Sequence, residues 1–233
     1  MDINRSLTYF KEDEQWINKF LIGSVLMLIP FGTIPVMGWL IAIIRNKLED
    51  ENAGLPDWDD IGTYAVDGLK IMGVSLIWFI PIFAIMCLQF TLIFGGISGV
   101  SVFAESLGED ATFNIIMGIN LLSYCFYPFI FIFSFAIGIL HYPLYGLLAD
   151  DLSFNEAINP RNAFKVLRAN LGEFIVILAV TYGLSMFSFF GFLLCIIGII
   201  PLYVYIYTVM GDLIAQVYKK SQENLALGEE ATA

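Results

Sequence analysis

Hydrophobic and polar positions along this chain alternate on two scales. On the long scale, four uncharged stretches, Phe20 to Ile44, Ile71 to Ala104, Ala111 to Ala149 and Phe174 to Gly211, are separated by segments that carry almost all the charge. Each exceeds the roughly 18 residues that mark a membrane-span candidate. At about 1.5 Å per helical residue the last would run roughly 60 Å, about twice the hydrocarbon thickness, so the pattern predicts a hairpin of two short spans. Its turn falls at Gly191 or at the Gly198 to Pro201 corner. The first stretch, FLIGSVLMLIPFGTIPVMGWLIAII, has Pro30, Gly32 and Pro35 at its middle, where a helix loses hydrogen bonds and breaks. Two half-helices of about ten residues reach only about 15 Å deep, which predicts a re-entrant hairpin with its bend buried in protein. The rival is one kinked span with the N-terminus outside.

On the short scale, three polar segments carry helical periodicity and read as helices lying in the membrane surface. After the turn at Leu55-Pro56-Asp57, Ile61, Tyr64, Ala65, Gly68, Leu69 and Met72 share one face while Asp60, Thr63, Asp67 and Lys70 share the other. Asp57 or Asp59 suits the N-cap, and Trp58 stands where an interfacial anchor belongs. In SFNEAINPRNAFKVLRANLGEF, Ser153 and Glu156 have capping-box spacing, Asn159 can cap again, and Pro160 fits a first helical position. There Ala163, Phe164, Leu167 and Leu171 line an apolar face, while Arg161, Lys165 and Arg168 form a stripe suited to anionic lipid headgroups. The N-terminal segment places Ile3, Leu7 and Phe10 in helical phase ahead of KEDEQW, with Trp16 as a second anchor. The tail from Ser221 to Ala233 is small, polar and acidic, and is expected to be disordered.

Charge placement orients this layout, because Lys and Arg near span ends are retained on the cytoplasmic side. The basic residues fall into four groups: Arg5, Lys11 and Lys19; Arg45, Lys47 and Lys70; Arg161, Lys165 and Arg168; Lys219 and Lys220. All four face the cytoplasm if the first stretch goes in and comes back, the middle two each cross once and the last is a hairpin.

Composition narrows the function classes. A mean hydropathy of +0.79 with 14% charged residues puts the chain in the membrane class. A net charge of −11, with 22 acids against 11 bases, argues against nucleic acid. Cys87, Cys125 and Cys195 are odd in number and lie in apolar runs without CxxC spacing, so they read as packing residues rather than disulfides or zinc ligands. The early acids Asp2, Glu12, Asp13 and Glu14 do not fit a cleaved signal peptide, so the N-terminus is expected to be retained.

Candidate chemistry is sparse. Asp57, Asp59, Asp60 and Asp67 form an acid cluster without the alternating ligands of a calcium loop, and capping plus a solvated face accounts for them, so no metal or cofactor is expected. There is no GxSxG, HExxH or P-loop glycine pattern, so no catalytic residue is expected. His141, the one histidine, reads as interfacial or as a satisfied core group. Gln89, Asn114, Asn120, Thr181 and Ser185 are the polar groups at mid-membrane and read as helix-packing hydrogen bonds; Gln89 and Asn120, with His141, stand as the intramembrane polar candidates for transport. Glu173 and Asp212 bracket the last stretch and are expected to reach water.

WINKFLIG, GLPDWDD followed by DGLK, HYPLYGLLADDLSFNEAI with the following RANLGEF, and GFLLCIIGIIPLYVYIYTVMGDLIAQVYK together resemble a prokaryotic membrane family, domain of unknown function 4013. The resemblance runs from about Ile3 to Tyr218, and LPDWDD is its most specific element. It implies a bacterial or archaeal multi-pass protein and assigns no catalytic residues. A more distant similarity to the membrane portions attached to some glycerophosphodiesterases leans towards a lipid-associated or scaffolding role. The expectation is an all-α integral membrane protein: a polytopic helical bundle with a re-entrant first segment, a C-terminal hairpin and cytoplasmic amphipathic interfacial helices. Residues 1–220 would form one membrane domain with both termini cytoplasmic. Its expected role is non-enzymatic binding of membrane lipids, a membrane partner protein or a second copy of itself; the alternative is a small-solute transporter or channel subunit.

Overall fold

The computed structural model describes residues 1–188 and 198–230. Gly191 and Cys195 lie outside them. All regular structure among the described residues is helical: α1 (Ile3–Ser6), α2 (Trp16–Leu28), α3 (Thr33–Glu49), α4 (Ile61–Leu107), α5 (Glu109–Tyr124), α6 (Tyr127–Ala149), α7 (Phe154–Ile158), α8 (Pro160–Ala169), α9 (Leu171–Met186) and α10 (Ile199–Glu230). Three segments are long and apolar enough to cross a membrane, Trp58–Leu107, Glu109–Ala149 and Ile199–Leu227. This is the length and chemistry of a membrane protein.

The chain divides into two compact units, Met1–Ser75 with Ile139–Ala233, and Leu76–Gly138. The second unit presents Phe90, Phe103, Phe113, Leu121 and Phe131 outward, each at least 60% exposed. Water would penalise such a surface, whereas lipid tails solvate it at no cost. Within this unit Cys87 and Cys125 are free and exposed rather than packed.

The first unit is built around α10, against which α2, α3, α8 and α9 all pack. The first hydrophobic stretch breaks where its prolines predict: α2 ends at Leu28 and α3 starts at Thr33. The bend itself is not buried in protein as expected: Ile29 is 52% and Phe31 82% exposed, with Phe31 at a left-handed φ of 67°. The two ends of this stretch lie side by side, since the Lys19 ammonium donates to the Leu55 carbonyl at 2.6 Å and Arg5 donates to the Glu51 carbonyl at 2.6 Å. The polypeptide therefore returns to where it set out. α3 and α4 cross with backbones in contact: a methyl group on Gly38 would overlap the Tyr64 carbonyl, and one on Gly68 would overlap that of Ile34. Glycine is needed at both positions because any side chain would push the helices apart.

Several local expectations change. The N-terminal segment is not a surface helix: Ser6 and Tyr9 are 0% and 2% exposed, and their hydroxyls donate to Asp212 and the Thr208 carbonyl on α10. The cap of α4 is neither Asp57 nor Asp59 but Asp60, whose Oδ1 accepts from the Thr63 amide at 3.1 Å. Along α4 the buried stripe within this unit is Tyr64, Asp67, Gly68, Ile71 and Val74, while Ile61, Leu69 and Met72 are exposed. The expected polar and apolar faces are thus partly exchanged, as they are when the surroundings are lipid and the protein interior holds ion pairs. Helix continues from Ser221 to Glu230 where disorder was expected, because Ser221 is fully buried and Asn224 donates to the Ala169 carbonyl at 3.2 Å.

The α7 and α8 starts follow the sequence. Ser153 and Glu156 form a reciprocal capping box, Asn159 caps α8, and Pro160 occupies its first turn. α9 and α10 pack against each other, with Lys220 and Glu173 joined at 2.5 Å; of the two candidate turns, Gly191 lies outside the described residues, while Pro201 is within α10.

Candidate functional site

The polar groups of the first unit gather in three places. The first is the LPDWDD box, residues Leu55 to Asp60. Its main chain is held by side chains from three other segments: the Leu55 amide donates to Asp13 Oδ2 at 3.1 Å, the Leu55 carbonyl accepts from Lys19, the Pro56 carbonyl accepts from Trp39 Nε1 at 3.0 Å, and the Asp57 carbonyl accepts from the Tyr64 hydroxyl at 2.7 Å. Buried backbone groups without partners would each cost about 1–3 kcal/mol, so this set of donors and acceptors fixes the box's path. Trp58 is not an interfacial anchor: it is 7% exposed, stacks on Trp39 at 4.9 Å, and gives its indole N–H to the Lys19 carbonyl at 2.9 Å. Trp16 is half-buried, edge-on to Phe10 and Phe20 at 5.1 and 5.6 Å.

The acids of this region do not share a site. Asp57 and Asp13 both pair with Lys19, at 2.8 and 2.7 Å. Burial pushes the Asp13 carboxyl up, but the Lys19 ammonium and the Gln15 and Leu55 amides outweigh it and hold the pKa below its ordinary value. Asp67 is buried rather than solvated, with Arg45 at 3.3 Å and Lys70 at 2.8 Å. Among the described residues no cluster of His, Cys, Asp and Glu could hold a metal ion.

The second place joins the N-terminal segment, the end of α3 and the later half of α10. Lys47 and Asp212 stand 3.7 Å apart with each side chain 3% exposed, and the Lys47 ammonium also lies 4.1 Å from the centre of the Tyr9 ring. Burial pulls the Lys47 pKa down, only partly countered by Asp212, and pushes that of Tyr9 well up. Asp212 Oδ2 accepts from Ser6 Oγ at 2.5 Å and from Gln216 Nε2 at 2.7 Å. The expectation that Asp212 reaches water is therefore overturned: Ser6 and Gln216 replace the water.

The third is α8. Its inner face, Ala163, Val166 and Leu167, is buried, while Phe164 is 50% exposed. Leu171, expected on the apolar face, is 47% exposed at the start of α9. Arg161, Lys165 and Arg168 all lie outward along a shallow surface that they share with Phe164, Ala169 and Leu225. The Arg168 guanidinium sits 5.8 Å from the Phe164 ring centre. Neither Arg161 nor Arg168 has a carboxylate partner among the described residues, in contrast to Lys19, Arg45, Lys47, Lys70, Lys219 and Lys220.

The intramembrane candidates are divided between the two units. His141 lies in the first unit, with its Nε2 2.9 Å from Ser75 Oγ. Gln89 and Asn120 lie in the second unit; Gln89 is 8% exposed and the Asn120 amide donates to its own helix at Ile116. The groups that sequence reasoning missed, Ser6, Tyr9 and Gln216, are polar residues of the N-terminal segment and α10, and nothing in their local pattern announces a partner about 200 positions away.

No curated protein and no solved structure matches the chain. A protein-family model described as a protein of unknown function, DUF4013, matches residues 21–202, a span that holds both halves of the first hydrophobic stretch, the LPDWDD box, both central apolar segments and α8. The match supports the resemblance over residues 21–202, a shorter span than the Ile3 to Tyr218 over which it was drawn, and the chain belongs to the DUF4013 family.

Proposed function

We propose that this protein is a non-enzymatic component of the cell membrane that binds anionic lipid through α8, with both termini on the cytoplasmic side. The observation that carries the reading is the outward row of Arg161, Lys165 and Arg168 around the exposed Phe164, with neither Arg161 nor Arg168 paired to a carboxylate among the described residues of a chain of net charge −11. A cationic row beside an exposed aromatic ring suits a lipid surface, since the ring enters the acyl boundary while the charges meet phosphates. Orientation follows from the basic groups: Arg5, Lys47 and Lys219 converge on Glu51, and Lys220 reaches Glu173 just beyond α8. Their convergence favours one common side for all four groups, and that side is cytoplasmic by the retention of positive charge.

The test is lipid retention. Purified from membranes in mild detergent, the protein should carry phosphatidylglycerol or cardiolipin in excess over phosphatidylethanolamine. At about 1 kcal/mol per surface cation, the Arg161→Gln/Arg168→Gln double variant should bind anionic lipid about tenfold or more weakly. Unchanged retention in that variant overturns the reading. Saturable solute flux in liposomes that is lost on changing Gln89 or Asn120 would replace it with transport.

A further inference from the structure

A second place in the first unit has the composition of a binding site. Where the N-terminal segment, the end of α3 and the later half of α10 meet, a cavity of about 430 Å³ is lined by four cationic and three acidic side chains, among them Arg5, Lys47, Glu51, Asp212 and Lys219. In a chain carrying −11 overall this is a local reversal of sign. The acids are largely engaged: Glu51 pairs with Lys219 at 2.5 Å, and Asp212 Oδ2 accepts from both Ser6 and Gln216. Lys219 and Lys220 are paired as well, with Glu51 and Glu173, but Arg5 and Lys47 lack such short carboxylate contacts among the described residues. Among the described residues, the Arg5 guanidinium donates from Nη2 alone, to the neutral oxygens of the Glu51 carbonyl at 2.6 Å and Asn52 at 3.0 Å. Buried Lys47 donates, among the same residues, to the Glu51 carbonyl at 3.0 Å, while the Asp212 carboxylate oxygen stands 3.7 Å away.

A guanidinium with free donors beside a desolvated ammonium is an arrangement suited to the planar, doubly bonded capture of an oxyanion. The cavity falls in the size range of small-molecule sites, larger than bare phosphate needs. We propose that it binds the phosphate group of a substituted phosphate, with Arg5 as the fork and Lys47 and Lys219 as flanking charges. The phosphate can belong to a lipid headgroup or to a soluble phosphate ester. This site shares no residue with the α8 row and does not depend on it.

Detergent-purified protein is titrated with inorganic phosphate and glycerol phosphate, with chloride at equal ionic strength as control, while lipid retained through purification is quantified by mass spectrometry. The expected result is a phosphate-dependent rise in Tm, or a retained phospholipid, that weakens about tenfold in Arg5→Gln and in Lys219→Gln, consistent with loss of one charge-assisted contact. It should persist in the Arg161→Gln/Arg168→Gln variant. Binding of the soluble probes assigns the site to free phosphate esters, and an effect confined to retained lipid assigns it to headgroups. An equal response to chloride, or binding of both kinds unaltered in the two cavity variants, overturns the proposal. Should Arg5→Gln not elute as a single species, Lys219→Gln decides, because the Lys219–Glu51 pair is solvent-exposed on both sides, at 48% and 60%, and buries no charge when broken.

Discussion

Lys219 and Glu51, 168 positions apart in the chain, pair at 2.5 Å. Because Arg5 donates to the Glu51 carbonyl, this one residue ties together the segment before the first hydrophobic stretch, the segment after it, and the last helix. In a background with Cys87, Cys125 and Cys195 replaced by alanine, single cysteines at Arg5 and Lys219 should react with a membrane-impermeant maleimide from the same side of sealed vesicles. Labelling from opposite sides would restore the single kinked span and remove the basis for a cytoplasmic N-terminus.

The contact of Lys47 with Asp212 gives a coupled prediction. Removing one member of a buried pair leaves the other uncompensated, so Lys47→Met alone should destabilise the protein by about 3 kcal/mol or more. Asp212→Asn keeps hydrogen-bonding capacity towards Ser6 and Gln216, and the double variant should lose less than the sum of the two single losses. Detergent-phase unfolding of the four proteins measures the coupling; strict additivity would show that the two charges do not sense one another.

At the α3–α4 crossing, Gly38→Ala and Gly68→Ala each force a methyl group into a carbonyl oxygen, and each should cost about 1–3 kcal/mol or more through displaced helices. Gly172, whose added methyl would meet nothing within 4 Å, is the control, and Gly172→Ala should leave thermal stability unchanged or slightly raised. Equal losses at all three positions would argue against backbone contact at the crossing.

The Asp13–Lys19 pair predicts how the LPDWDD box responds to acid. The Asp13 pKa is lowered in the folded chain, so its contribution to stability is complete above the unfolded value near 4 and is lost as pH falls through the lower folded value. Lys19 has the opposite sign: the hydrogen bonds from its ammonium to Asp13 and Asp57 outweigh burial and raise its pKa, so its contribution holds below about pH 10.4 and fades above that. Unfolding followed from pH 6 to pH 3 should therefore steepen at the acid end. Asp13→Asn should be less stable at pH 6 and show a shallower acid slope; parallel curves would place the acid sensitivity elsewhere.

Features set by neighbouring residues were legible in the sequence. The break between Leu28 and Thr33, the capping box at Ser153 and the cap at Asn159 all depend on groups within a few positions. The outward placement of Arg161, Lys165 and Arg168 was legible for the same reason. Trp58 and Asp67 were misplaced because helical periodicity says which residues share a face, not which face meets protein. In water the apolar face turns inward, but beside lipid Leu69 can stay outside while Asp67 goes in to Arg45. The cavity beneath Arg5 was invisible for another reason: the sequence separation between Ser6 and Asp212 leaves no local trace.

That separation has a consequence for the order in which the molecule can be made. Asp2, Ser6 and Tyr9 hold on to Gln216, Asp212 and Thr208, residues synthesised about 200 positions later. At about 5–20 residues per second, the amino-terminal hook emerges from the ribosome about 10–40 s before its catch exists. During that interval Lys19, Trp39 and Tyr64 can already clamp the Leu55 to Asp60 strap, so the hook waits beside a finished latch and closes last.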